Sequence, residues 1–196
     1  MKYELTDKTK VENGVTLHQI KRLSDGLIGG WIEKEANLSQ SGECFVYDNA
    51  LVFGNARVYG DAKVSGDARV YGKAKIYDNA WVTDNAWVYG DATVYGNANV
   101  YGNALVYDNA KVYGNAGVTG DAWVSGNANV FGDALVLDNA RVLGNARVSD
   151  NAEKEPEKTS LDFSFKVVES VPKKYIVTKN NVTIELSEDE CKKLTA

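Results

Sequence analysis

Aliphatic residues recur at every sixth position from Val46 to Val148, with Ile76 the one non-valine, and alanine recurs at every sixth position from Ala50 to Ala152. From Val52 on, each aliphatic residue follows an alanine by two, as in Ala56-Arg57-Val58. Side chains two apart on an extended chain share a face, so Ala and Val point one way while Arg57 and Tyr59 point the other. Gly or Asp comes next, then Asn or Asp, with Lys73 the lone departure. These residue types accept bent and left-handed backbone. The pattern predicts a short strand, a sharp corner and another short strand, written eighteen times over residues 45–152 with no insertion.

A unit this short cannot bury its own apolar face and has to stack on the next, which is the logic of a solenoid. Three sides close a coil of 18 residues, and residues 45–152 supply six such coils, about 29 Å of stack at one strand spacing per coil. The fold class expected is an all-β solenoid, a three-sided parallel β-helix. Its interior is a narrow prism of Val and Ala columns in which Val46, Val64 and Val82 lie above one another.

The flanks differ. Residues 1–44 are not repetitive: strand-like stretches at 2–5 and 15–23 surround Glu12-Asn13-Gly14, and Asn-Gly between β-formers is a hairpin signal. Ile32 and Leu38 are six apart with Ala36 at the repeat's alanine offset, while Leu38 and Val46 are eight apart. This predicts an irregular first coil that caps the stack. Beyond the repeat, residues 153–160 form a charged, proline-containing linker. In 161–196 an alternating strand at 161–169 leads to a hairpin of 175–178 and 182–186. A short helix starting at the capping box of Ser187 and Glu190 closes the tail.

Composition adds little to the picture of the fold but narrows the chemistry. The chain of 196 residues carries a formal charge of −5, which gives no global attraction to nucleic acid or to anionic membranes. No apolar run approaches the ~20 residues that cross a bilayer, and the opening Met-Lys-Tyr-Glu-Leu-Thr-Asp-Lys has no secretory signal's apolar core. An intracellular location is therefore expected. Cys44 and Cys191 form no framework or metal-binding spacing; Cys44 stands where later units carry Ala and is read as a buried filler.

The repeats resemble the hexapeptide-repeat, left-handed β-helix superfamily, whose units pair an aliphatic residue with a small one four positions later. Handedness comes only from that resemblance; a right-handed three-sided helix like that of bactofilins fits the spacing equally well. Gly29-Gly30-Trp31-Ile32-Glu33, Asn37-Leu38-Ser39-Gln40 with Gly42, and Val46-Tyr47-Asp48-Asn49-Ala50 are similar to a narrower set of phage, prophage and bacterial proteins described as acyltransferase-like. The resemblance implies phage association, and with it a place in the cytoplasm of a bacterial host or on a virion, and supplies no catalytic residue. Acyltransferases of the superfamily use a histidine base, whereas the sole histidine here, His18, lies in the N-terminal hairpin and the repeats contain no inserted loop. No catalytic residue, cofactor or metal site is assigned.

The period of 18 sorts the outward side chains onto three sides. The first side carries Leu51, Phe53, Tyr71, Trp87, Tyr89, Leu105, Tyr107 and Trp123 with Arg69 and Arg141. It is too apolar for bulk water and has the composition of an interface core. The second side interleaves Arg57, Lys75, Lys111 and Arg147 with the ladder Tyr59, Tyr77, Tyr95, Tyr113 and Phe131. Such a face could take carbohydrate, single-stranded nucleic acid or an acidic protein, or be a β-former ladder solubilised by cations. Four cations on an acidic chain argue against nucleic acid. The corner row Asp48, Asp67, Asp84, Asp121 and Asp138 has the oxygen ligands Ca2+ needs, but turn chemistry accounts for it without metal.

The reading favoured is a non-catalytic binding or assembly module whose first side self-associates, as a trimer or dimer, or meets a host or phage protein. Two alternatives stand beside it: a phage-encoded inhibitor of a host enzyme or defence protein, and an acyltransferase-like enzyme.

Overall fold

A computed structural model describes residues 1–149 in full and the backbone of 174–179 and 182–187. The repeat folds as a parallel β-solenoid with three sheets and 18 residues per turn, seven levels high on two of its sides. Each repeat contributes a strand of two or three residues. Val46 pairs with Val64, Val64 with Val82 and Val82 with Val100, all in parallel register. All of the repeat's aliphatic residues from Val46 to Val130, and its alanines from Ala50 to Ala128, are buried to within 1%. The stacked valine columns expected from the spacing are present.

The backbone ladder explains why so short a strand persists. Leu51 N donates to Ala68 O, Phe53 N to Val70 O and Asn55 N to Gly72 O, at 2.9, 3.0 and 2.7 Å. Each coil thus hands donors to the next on all three sides. Within the corner, Ala50 N returns to Tyr47 O at 3.1 Å and closes a tight turn. The residue two after each aliphatic position from Val46 to Val142 has positive φ, Gly54 at 68° and Asp48 at 53° among them. At these corners Asp does more than tolerate the left-handed conformation. Its carboxylate accepts the N–H of the glycine one coil later, Gly66 to Asp48 at 3.0 Å and Gly102 to Asp84 at 3.0 Å. The next corner position forms amide ladders, Asn79 to Asn97 to Asn115 to Asp133, with an acceptor-only carboxylate at the end. Lys73 departs from that pattern and lies 3.8 Å from Asp91 in the coil above.

The N-terminal region extends one sheet. Strands β1 (Tyr3–Glu12), β2 (Val15–Arg22) and β3 (Ile28–Ile32) run in that order onto Leu51–Val52. Asn13 and Gly14 both have positive φ, 50° and 79°, as a two-residue type I′ hairpin requires. Ile32 pairs with Val52, and Leu38 bridges to Val58, so the first coil holds two residues more than the later ones. The excess falls between Leu38 and Gly42, because Gly42 is back in the corner stack. A Cβ on Gly42 would stand 2.2 Å from Gly60 O, which leaves room for no other residue.

One expectation for this coil is corrected. Ala36 is exposed on a 3-10 turn, Glu35–Asn37, and Asn37 points inward instead. Its amide donates to Gly54 O at 3.1 Å and Ala56 O at 2.9 Å, replacing the strand donors that the turn removes. Tyr3 and Ile20 from the hairpin, with Leu38, Cys44 and Phe45, plug the end of the prism. The Tyr3 hydroxyl donates to Leu38 O at 2.7 Å, and burial pushes this phenol well above its ordinary pKa. Cys44 is fully buried at the alanine position, as expected. Its Sγ accepts from Lys2 Nζ at 3.1 Å.

The C-terminal hairpin at 175–178 and 182–186 appears as antiparallel strands Lys174–Lys179 and Val182–Ser187. The linker at 153–160, the strand at 161–169, the helix after Ser187 and Cys191 lie outside the described residues.

Candidate functional site

On the first side the outward residue before each valine forms a vertical column. Leu51 pairs with Arg69, Arg69 with Trp87, Trp87 with Leu105, Leu105 with Trp123 and Trp123 with Arg141. The residue after each valine forms a second column of rings. Phe53, Tyr71, Tyr89 and Tyr107 stack at 4.9–5.1 Å with interplanar angles of 1–8°. Parallel strands stacked in register bring identical positions to this distance, so the ladder follows from the fold.

The N-terminal hairpin divides this side in two, which the sequence reading did not foresee. Leu17 of β2 packs with Trp31, Leu51 and Phe53 into a separate apolar cluster, with Val15 and Tyr71 at its margin. Leu51 and Phe53, included among the interface candidates, are thus 3% and 7% exposed within the chain itself and unavailable to a partner. Lys10 Nζ lies 4.6 Å above the Trp31 ring, and Glu12 at the hairpin tip pairs with Arg69. Val15 and Leu17, two apart and on one face of β2, are the sequence signal for this cover.

Beyond the hairpin this side is left uncovered by the described residues. Trp87 is 38% exposed, while Leu105 and Trp123 are half-buried. The Arg69 guanidinium lies 5.1 Å from the Trp87 ring and that of Arg141 lies 4.3 Å from Trp123. Such contacts restrict both indoles, and Trp87 also meets the Tyr71 ring edge-on at 6.3 Å and 72°. Tyr71 and Tyr89 have phenol pKa values raised by burial, the effect on Tyr71 being opposed by Arg69.

The second side carries the longer ladder. Tyr59, Tyr77, Tyr95, Tyr113 and Phe131 stack at 4.8–5.2 Å, and Arg147 caps the last ring at 5.1 Å. Ring faces are turned toward one another, so edges and hydroxyls meet the solvent. The arrangement suits hydrogen bonding and leaves little ring face for stacking a sugar or a base. Arg57, Lys75 and Lys111 are exposed beside it. Burial again raises the phenols of Tyr59, Tyr77 and Tyr95.

The third side has a feature that sequence reasoning passed over. Trp81 is 46% exposed, and its Nε1 donates to Ser65 Oγ at 2.9 Å. Leu135 and Leu137 are exposed further along the same side, at 62% and 45%.

The corner carboxylates separate into two columns. Asp48, Asp84 and Asp138 have positive φ, whereas Asp67 and Asp121 occupy the next position. Among the described residues no three His, Cys, Asp or Glu side chains come together as a metal site. His18 lies on β2 opposite Thr9 and Ile32, in the N-terminal cap. An open depression of about 450 Å3 lies at the N-terminal end near Lys2, Arg22 and Glu43. The Lys2 ammonium there already donates to Cys44 O at 2.6 Å. No helix among the described residues is long and apolar enough to cross a membrane.

Architecture and surface together define a β-solenoid repeat domain. The YdcK beta solenoid repeat family matches this chain over residues 45–60, 74–90 and 110–126. All three segments fall in the regular coils, and each contains corners and strands of the period just described. No curated protein matches the chain as a relative.

Proposed function

We propose that this chain is a non-catalytic assembly module that self-associates through the open part of its first side. One observation carries the reading: Trp87, Leu105 and Trp123 form an apolar column on parallel strands in register, bracketed by Arg69 and Arg141, whose guanidinium groups lie over the two indoles. Preordered aromatic and Arg side chains lose little entropy on binding and are the usual anchors of interfaces. The second side carries a ladder of five rings, but the cationic column beside it is exposed, so it serves as a solvated face.

Sedimentation velocity tests the reading. The intact chain should sediment above monomer mass at micromolar concentration, and Trp87→Glu/Trp123→Glu should return it to a monomer with an unchanged circular dichroism spectrum. A folded double variant of unchanged mass would remove the first side from the interface.

A further inference from the structure

We propose that the first side pairs with a second copy of this chain, face to face and antiparallel, about a two-fold axis at the level of Leu105. This rests on the reading of the first side as an assembly surface and adds orientation and register. The outward column runs Arg69, Trp87, Leu105, Trp123, Arg141, one residue per coil, and it reads the same from either end. The cation–π contacts repeat the symmetry. Arg69 leans forward over Trp87 and Arg141 leans back over Trp123, so both guanidinium groups tilt toward Leu105.

A two-fold interface requires that when residue i meets j, j also meets i. A column symmetrical about its centre satisfies this when one copy is turned end for end. Trp87 then meets Trp123 of the second copy, twice over, and Leu105 meets its counterpart on the axis. Apolar groups occupy the middle and arginines the rim, the usual interface anatomy.

Charge and shape both choose antiparallel over parallel. The hairpin tip places Glu12 beside Arg69. Turned end for end, each Arg141 arrives at the level of an Arg69 that already holds a carboxylate, so each rim has one Glu12 for two arginines. A parallel pair would put both Glu12 residues at one rim and leave two Arg141 residues facing each other at the other. The hairpin also covers Leu51 and Phe53 on this same side. Parallel copies would collide hairpin on hairpin, whereas antiparallel copies set each hairpin beyond the other's Arg141. The open column spans four coil steps, about 19 Å, so the interface is small and its occupancy depends on concentration.

Pulsed electron spin resonance on the full chain, in a Cys191→Ser background with Cys44 left buried, reads the arrangement directly. Nitroxides go at the exposed corner positions Asn109→Cys, level with Leu105, and Asn145→Cys, two coils further on. Antiparallel pairing predicts a short distance between the two Asn109 sites and a longer one between the Asn145 sites, which lie about 19 Å further apart along the stack. Equal distances at both sites would mean parallel pairing and overturn the proposal while leaving self-association intact. Mixing Trp87→Lys with Trp123→Glu gives a second readout. Antiparallel copies juxtapose Lys and Glu once and keep one Trp–Trp contact, so the mixture should associate at least about tenfold more tightly than either variant alone. Absence of that gain would also count against it. A wild-type chain that stays monomeric would sink this pairing together with the assembly reading.

Discussion

The first and second sides carry nearly the same ladder of rings, spaced by the same coils, yet they present different surfaces. On both, aromatic residues after the valine stack at close to 5 Å. The difference lies in the neighbouring column before the valine: Trp87, Leu105 and Trp123 on one side, Lys75, Thr93 and Lys111 on the other. A ring ladder is therefore part of how this solenoid holds its coils together. In the function proposed above, the column beside the ladder is what sets one side apart as an assembly surface.

Interior changes should erase that distinction, because both sides share one core. Val106→Asp and Val112→Asp, behind the first and second sides, each place an unpaired charge in a dry column and should cost about 4 kcal/mol or more. Thermal unfolding by circular dichroism should show both variants equally damaged; tolerance of one alone would mean the sides fold separately. At a corner, Gly114→Val forces a β-branched residue to a φ of 74°, with its Cβ 3.0 Å from Gly132 N. A loss of about 2–3 kcal/mol is expected from such strain. Gly114→Asp should cost under about 1 kcal/mol, since its carboxylate can take the Gly132 N–H as Asp78 takes that of Gly96. Equal melting temperatures for the two variants would show that corner chemistry does not matter.

The sides themselves separate in association. Trp123→Glu should weaken it about 100-fold or more, as loss of a central anchor does, while Lys111→Glu leaves the sedimenting mass unchanged. Single ring deletions are milder. Tyr89→Ala and Tyr95→Ala should each lose about 1–2 kcal/mol of stability through stacking and burial, with only Tyr89→Ala also affecting association.

The smallest effect is alkaline. The phenols of Tyr59, Tyr71, Tyr77, Tyr89 and Tyr95 all have raised pKa values, burial being the main cause. Above their ordinary value of 10.0 the unfolded chain ionises before the folded one. Stability should hold below pH 10 and decline as pH rises past it. Melting temperatures between pH 8 and 11, followed with tyrosinate absorbance, check this; a flat profile would contradict it.

The regular coils were legible because period and packing agree at every unit: Val82 sits between Val64 and Val100 as its spacing requires. The cap was only half legible. Asn13-Gly14 announces its hairpin locally, but Asn37 replaces Ala36 inside the prism by donating side-chain hydrogen bonds, which hydrophobic periodicity does not register. The fold-back of Leu17 onto Leu51 and Phe53 is a tertiary event between segments more than thirty residues apart. So is the ion pair of Glu12 with Arg69. The candidate surface read from the sequence was therefore drawn one coil too long, since Leu51 and Phe53 are covered within the chain.

The corner spacing has a final consequence for how such a chain can change. Its backbone counts in sixes, but its surface counts in eighteens. Deleting one hexapeptide between Leu105 and Trp123 would keep every inward valine inward while rotating Trp123 and everything after it onto the neighbouring side. Lengthening by a whole turn conserves each side's identity; lengthening by a third of one reshuffles the surface and leaves the architecture intact.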